Sequence, residues 1–269
     1  MSAAGEIYTH GHHESVLRSH RWRTVENSAA YLLPHLHAGV SLLDVGCGPG
    51  TITVDLASRI EPGLVVGVDA AEDAIAAARE EATRRGVTNV ELRVADVYSL
   101  PFPDGSFDVV HAHQVLQHLG DPVAALREMR RVCRPGGVVA ARDSDYAGMT
   151  WYPPSPSLDR WLALYSAIAR GNRGEPDAGR FLLSWAHAAG FADVAPTASA
   201  WCFAVPRDRE WWAGLWADRL TSSSIAQQAV ERGLATAADL DELAAGWHAW
   251  AEDPDAWFAV VHGEIVCTA

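Results

Sequence analysis

The stretch "LLDVGCGPGTITVDLA", Leu42 to Ala57, decides the fold. An apolar run from Val40 to Val45 meets glycines at alternate positions, Gly46, Gly48 and Gly50, and an apolar-periodic segment follows from Thr51. That pattern predicts a strand, a tight turn and a helix. Units of this kind hold nucleotides, because glycines let the backbone close on the ligand and a helix N-terminus comes next. The dinucleotide fingerprint requires Gly-x-Gly-x-x-Gly, and counting from Gly46 its last position falls here on Thr51. Pro49 also lacks the N–H that a phosphate cradle would use. A phosphate-free nucleoside suits the turn better, and a Walker loop is excluded because no Gly-Lys-Ser/Thr follows.

Outward from the turn, strands and helices alternate. The helix from Thr51 to Arg59 stops near Pro62-Gly63, and "LVVGVD" is a buried strand that ends in Asp69. "AEDAIAAAREEATRRG" is a helix with acids in its first turn, arginines in its last and Gly86 as its stop. "VELRVADV" and "FDVVHAH" are the next strands. "DPVAALREMRRVCRPGG" is a helix with an Asp-Pro start and a Pro-Gly-Gly end, before the strand "VVAARDSD". This order predicts an α/β chain with a doubly wound, mostly parallel sheet and a ligand at the carboxyl ends of its strands. Past Asp145, "YAGMTWYPPSPS" reads as a loop and Leu158 to Ala169 as an apolar helix. "ADVAPTASAWCFAV" and "WFAVVHGEIVCT" read as antiparallel closing strands around a helical, tryptophan-bearing insertion, Arg209 to Trp250. The expected organisation is one domain: a helical lid over 1–39, a cofactor-binding core over 40–145, and a substrate cover with closing strands over 146–269.

Composition narrows the partners. A formal charge of −13 lacks the basic footprint of a nucleic-acid binder, so a small molecule is the expected partner. The cysteines Cys47, Cys133, Cys202 and Cys267 show neither metal-ligand spacing nor a disulfide framework, which points to a reducing compartment. No apolar run approaches the roughly 20 residues of a membrane span, and the first residues lack a signal peptide's apolar core, so a cytoplasmic location without membrane association is expected. His10, His12 and His13 have no obvious carboxylate or thiolate complement, and no metal site is expected.

"LLDVGCGPG", "GVDAAEDAI", "VADVYSLPFPDGSFDVVHAHQVLQHL" and "LREMRRVCRPGG" occur in that order between about Val40 and Asp145. Together they resemble the successive motifs of the class I S-adenosylmethionine-dependent methyltransferases, in particular the branch with the ubiquinone and menaquinone biosynthesis enzymes. The resemblance implies a Rossmann-like fold and the cofactor S-adenosylmethionine, with S-adenosylhomocysteine as product. It implies that Asp44, Gly46, Cys47, Gly48 and Gly50 wrap the methionyl part, that Asp69 with Ala70 receives the ribose hydroxyls, and that Asp96 and Val97 meet the adenine. His113 and Gln114 follow the fourth strand near the transferred methyl. His113 stands where amino-methyltransferases carry an Asn or Asp.

The segment "IYTHGHHESVLRSHRWRTVENSAAYLLP" resembles the lid helix of small-molecule methyltransferases, which implies that Tyr8 closes over the sulfonium and Arg23 pairs with the methionyl carboxylate. Transfer from a sulfonium needs alignment and dryness more than a fixed catalytic group. Where a base is needed, His113 and His13 are the candidates, with His20 also in reach; a histidine of ordinary pKa would make the rate rise across about pH 5.5 to 7.5. Tyr146, Trp151 and Tyr152 are the candidate acceptor contacts, with His13. O, N, S and C acceptors stay open, on natural products or quinone precursors. The rivals are a nicotinamide-dinucleotide oxidoreductase, which the glycine spacing disfavours, and a non-catalytic cofactor-binding module.

Overall fold

The computed structural model describes residues 19–269. Its seven strands form one sheet in the order β3-β2-β1-β4-β5-β7-β6. β1 (Leu42–Val45), β2 (Val65–Asp69), β3 (Val90–Val94), β4 (Phe107–His113) and β5 (Cys133–Tyr152) run parallel, and β7 (Trp257–Thr268) lies antiparallel between β5 and β6 (Val194–Phe203). Strand order reverses between β1 and β4, which opens a crevice at their carboxyl ends.

Local chemistry explains the helices beside the crevice. α1 (Val25–Ser28) starts in a capping box made by Thr24 and Asn27. α2 (Thr51–Ile60) leaves the glycine turn through Gly50 in the left-handed region, φ +80°. A Cβ on Gly50 would stand 2.8 Å from Ala78 Cβ, so only glycine lets α2 press against α3 (Glu72–Arg85). α3 stops at left-handed Gly86, and α4 (Pro122–Val132) starts with Asp121 capping the Ala124 amide ahead of Pro122.

β1 is buried on both faces, and its side chains alternate between two cores. Leu42 joins Val25, Leu32, Leu56 and Ile60 in one layer, and Leu43 joins Val66, Val110, Leu126 and Met129 in the other. A third core sits at the sheet's carboxyl end. It is rich in aromatics, with Trp161, Trp212, Trp216, Trp247 and Phe258 packed among α5 (Pro156–Gly171), α7 (Pro206–Ser222) and α9 (Ala237–Glu252). The described residues also form α6 (Leu182–Ala188) and α8 (Ser224–Glu231).

The segment expected as a loop after Asp145 is strand. β5 continues to Tyr152, with a register shift between Asp145 and Thr150, and Trp151 pairs with Phe258. The bulge is held by carboxylates, since the Gly148 amide donates to Asp145 and the Ala147 amide to Asp177. No helix of the described residues is long and apolar enough to cross a membrane.

Candidate active site

A cavity of about 450 Å³ opens at the crevice and runs from the glycine turn to the aromatic core. The turn is shaped by steric necessity. Gly46 has φ +68°, and a Cβ there would fall 2.3 Å from Val115 Cγ2. Asp69 ends β2 inside the cavity and braces the turn: its carboxylate accepts from the Gly48 amide at 3.0 Å and the Ala71 amide at 2.9 Å. Asp44 also lines the cavity, yet its oxygens are committed to Thr53 Oγ1 at 2.6 Å and His111 Nδ1 at 2.8 Å. Cys47, Gly48, Ala70, Ala95 and Val97 complete this end. The Asp96 side chain is not part of the lining and accepts from the Tyr98 amide. Gly50 lies behind the turn, against α3.

The opposite wall is formed by Trp22, Tyr146, Met149, Trp201, Trp212 and Trp216. Between the two ends stand His113, Gln114 and Ser144. Gln114 has φ +54°, a conformation that a non-glycine residue holds only when its surroundings enforce it. Its Nε2 donates to Ser144 Oγ at 2.7 Å and faces His262 Nε2 at 2.9 Å, while its Oε1 accepts from Arg23 at 2.6 Å. Since Gln114 donates there, His262 Nε2 is the acceptor and its Nδ1 proton goes to the Val260 carbonyl at 3.1 Å, a neutral tautomer. His113 is 6% exposed, and neither ring nitrogen has a hydrogen-bond partner. Its ring stacks toward His262 at 6.4 Å and tilts against Trp201 at 6.0 Å. Burial, then the charges of Arg23 and Arg142, hold His113 well below the ordinary histidine range, so it is neutral at physiological pH. Burial also pushes the His118 pKa down to about 3.

The sequence-predicted residues are therefore brought together unevenly. Asp44, Gly46, Cys47, Gly48, Asp69, Ala70, Val97, His113, Gln114, Arg23 and Tyr146 share the cavity. Trp151 and Tyr152 do not line it: Trp151 stacks on Phe258 at 5.5 Å and Tyr152 is exposed. Their place is taken by Trp201, Trp211, Trp212 and Trp216. Arg23 reaches Gln114, and His20 sits over the turn, with its backbone carbonyl accepting from Thr51 Oγ1 at 2.9 Å. Tyr8, His10, His12 and His13 lie outside the described residues. Sequence reading also missed His262, whose only signal was its place in a β-rich segment.

The Methyltransferase domain family model matches residues 36–184, more than half of the chain. An uncharacterized methyltransferase of Schizosaccharomyces pombe is 36% identical over 96% of this chain and 95% of its own length. The chain belongs to the class I S-adenosylmethionine-dependent methyltransferases. A demethylmenaquinone methyltransferase of Listeria monocytogenes is 34% identical to this methyltransferase, over 51% of this chain and 55% of that one. The fold is shared with Haemonchus contortus phosphoethanolamine N-methyltransferase 2, at a TM-score of 0.56 and 21% identity over 89% of this chain and 51% of that chain.

Proposed function

We propose that this methyltransferase acts on a small-molecule acceptor held against the aromatic wall, with the cofactor laid along the glycine turn. The observation that carries the reading is one continuous cavity whose two ends differ in chemistry. One end offers backbone, two aspartates and no Cβ at its tightest point; the other offers indole surface. His113, neutral and without a partner, stands between them. A buried polar group without a partner costs free energy, and because His113 lines the cavity a ligand held there can supply the partner.

S-Adenosylmethionine supplies an electrophilic methyl on a sulfonium. The chain's part is to bind and align. Asp69 receives the ribose hydroxyls while bracing Gly48, and the 95–97 backbone meets the adenine. Gly46 and Gly48 admit the methionyl chain, with Arg23 above it. Asp44, with both oxygens engaged inside the fold, acts by stiffening the turn. The helical segments over the cavity keep water out. Calorimetry with S-adenosylhomocysteine on the parent protein and on Asp69→Ala tests this placement. Tight binding by the parent, weakened about ten- to a hundredfold in the variant, is expected; equal affinity would place the cofactor elsewhere.

A further inference from the structure

The aromatic end of the cavity restricts which acceptor it takes, and this step rests on the methyltransferase reading of the same cavity. An indole ring offers a ligand flat apolar area and a negative π face that attracts cations. Here two of the lining rings, Trp201 and Trp216, already carry a cation. Arg23 lies over Trp201 at 5.7 Å and Arg142 over the same ring at 5.0 Å, while Arg219 lies over Trp216 at 4.8 Å. Arg23 and Arg219 themselves line the cavity, so an ammonium group entering this end would meet their positive charge. Among the described residues the lining carboxylates are Asp44 and Asp69, both at the glycine turn. The wall therefore favours a flat molecule without a positive charge.

Its polar atoms then decide the reacting atom. Gln114 and Ser144 are bonded to each other, and Gln114 is engaged at its oxygen by Arg23. His113 keeps both ring nitrogens without partners, and as a neutral imidazole it presents one lone pair and one N–H. A lone pair at the boundary between donor and acceptor ends is matched by a proton donor, and at neutral pH a hydroxyl supplies one without the positive charge of an ammonium.

We propose that the acceptor is an uncharged, flat aromatic or enolised molecule, methylated on a hydroxyl oxygen whose proton passes to His113. The acceptor O–H bond breaks and its proton goes to an imidazole nitrogen. The oxygen's electron pair forms the bond to the methyl carbon, and the carbon–sulfur bond breaks with its pair returning to sulfur. The imidazolium releases the proton to solvent, leaving a methyl ether and S-adenosylhomocysteine. Because burial makes His113 a weak base, a phenol of lowered pKa that still holds its proton at neutral pH reacts faster than a simple phenol.

The test uses the full chain with methyl-labelled S-adenosylmethionine and three probes of one ring size: 6-cyano-2-naphthol, 2-naphthol and 2-(aminomethyl)naphthalene. Binding is measured by calorimetry with S-adenosylhomocysteine saturating, and transfer by label in product. Both hydroxy probes should bind, the amine about tenfold or more weaker, and label should appear on oxygen, faster on the cyanonaphthol. His113→Asn should keep probe affinity within a few-fold and lose about 100-fold or more in turnover; retained affinity shows that the variant is folded. Equal or tighter binding of the amine, label on nitrogen, full turnover by His113→Asn, or no binding of either hydroxy probe by protein that holds S-adenosylhomocysteine would each overturn the proposal. Failure of the parent to bind S-adenosylhomocysteine would instead overturn the placement of the cofactor, and the acceptor assignment with it.

Discussion

Asp143→Asn isolates a buried charge that the fold carries beside the active site. Asp143 is 0% exposed on β5; its Oδ1 accepts from the Gln117 amide at 3.1 Å and its Oδ2 has no partner. It thereby pins the loop after β4 that bears Gln114 and Val115. Burial raises its pKa from 3.8 to about 7, against the lowering by the Gln117 and Leu116 amides and by Arg142. Between those values the native state keeps a proton that the unfolded chain has released, so stability falls as pH rises. Between pH 5 and about pH 7 the folded carboxyl keeps its proton while the unfolded one is ionised, about two units that at about 1.4 kcal/mol each come to about 3 kcal/mol, and above that the loss levels off. Asparagine keeps the acceptor for the Gln117 amide and has no proton to lose. Whatever fixed cost its amide brings, the variant should gain about 3 kcal/mol on the parent over this range, or roughly 6–12 °C in Tm for a chain of this size. Denaturant unfolding of both proteins at half-unit pH steps measures it, and titrations common to the two cancel in the difference. A difference that stays constant from pH 5 to pH 8 would refute the argument.

Gly46→Ala should weaken S-adenosylhomocysteine binding by about tenfold or more, since the new Cβ meets Val115 Cγ2 and φ is +68°. Adding Val115→Ala should recover part of the loss by removing the clash but not the strain, and a double variant no better than the single would contradict this geometry. The turnover of the parent should be flat from about pH 6.5 to 8 and fall only in more acid solution, because burial holds the neutral form of His113 to below its ordinary range. A limb centred between pH 6 and 7 that disappears in His113→Asn would show an exposed histidine instead. Glu264→Leu should cost about 3–5 kcal/mol in urea unfolding, since Arg142, 1% exposed, loses its carboxylate partner at 3.1 Å. Arg142→Met added to it should restore most of that stability; equal destabilisation in the double variant would mean that packing, not charge, is at stake.

What could be read from the chain alone was chemistry confined to a few neighbouring residues. Glycines in left-handed turns, the Asp121-Pro122 start, the Gly86 stop and an acid closing β2 are local steric and capping requirements, and they carry the strand-turn-helix order with them. The charge and the failed dinucleotide spacing likewise needed no third dimension. The acceptor end did need it. Trp22, Tyr146, Trp201, Trp212 and Trp216 come from four separate elements or segments, and only the antiparallel docking of β7 between β5 and β6 gathers them. The same docking turns "YAGMTWY" from loop into strand, because backbone pairing depends on a partner more than a hundred residues away. It also carries Trp151 toward Phe258 rather than the cavity, and sets His262 opposite Gln114. Burial, which strips His113 of its charge and loads Asp143 with a proton, is a property of assembled layers: each side chain's desolvation is set by neighbours remote in sequence.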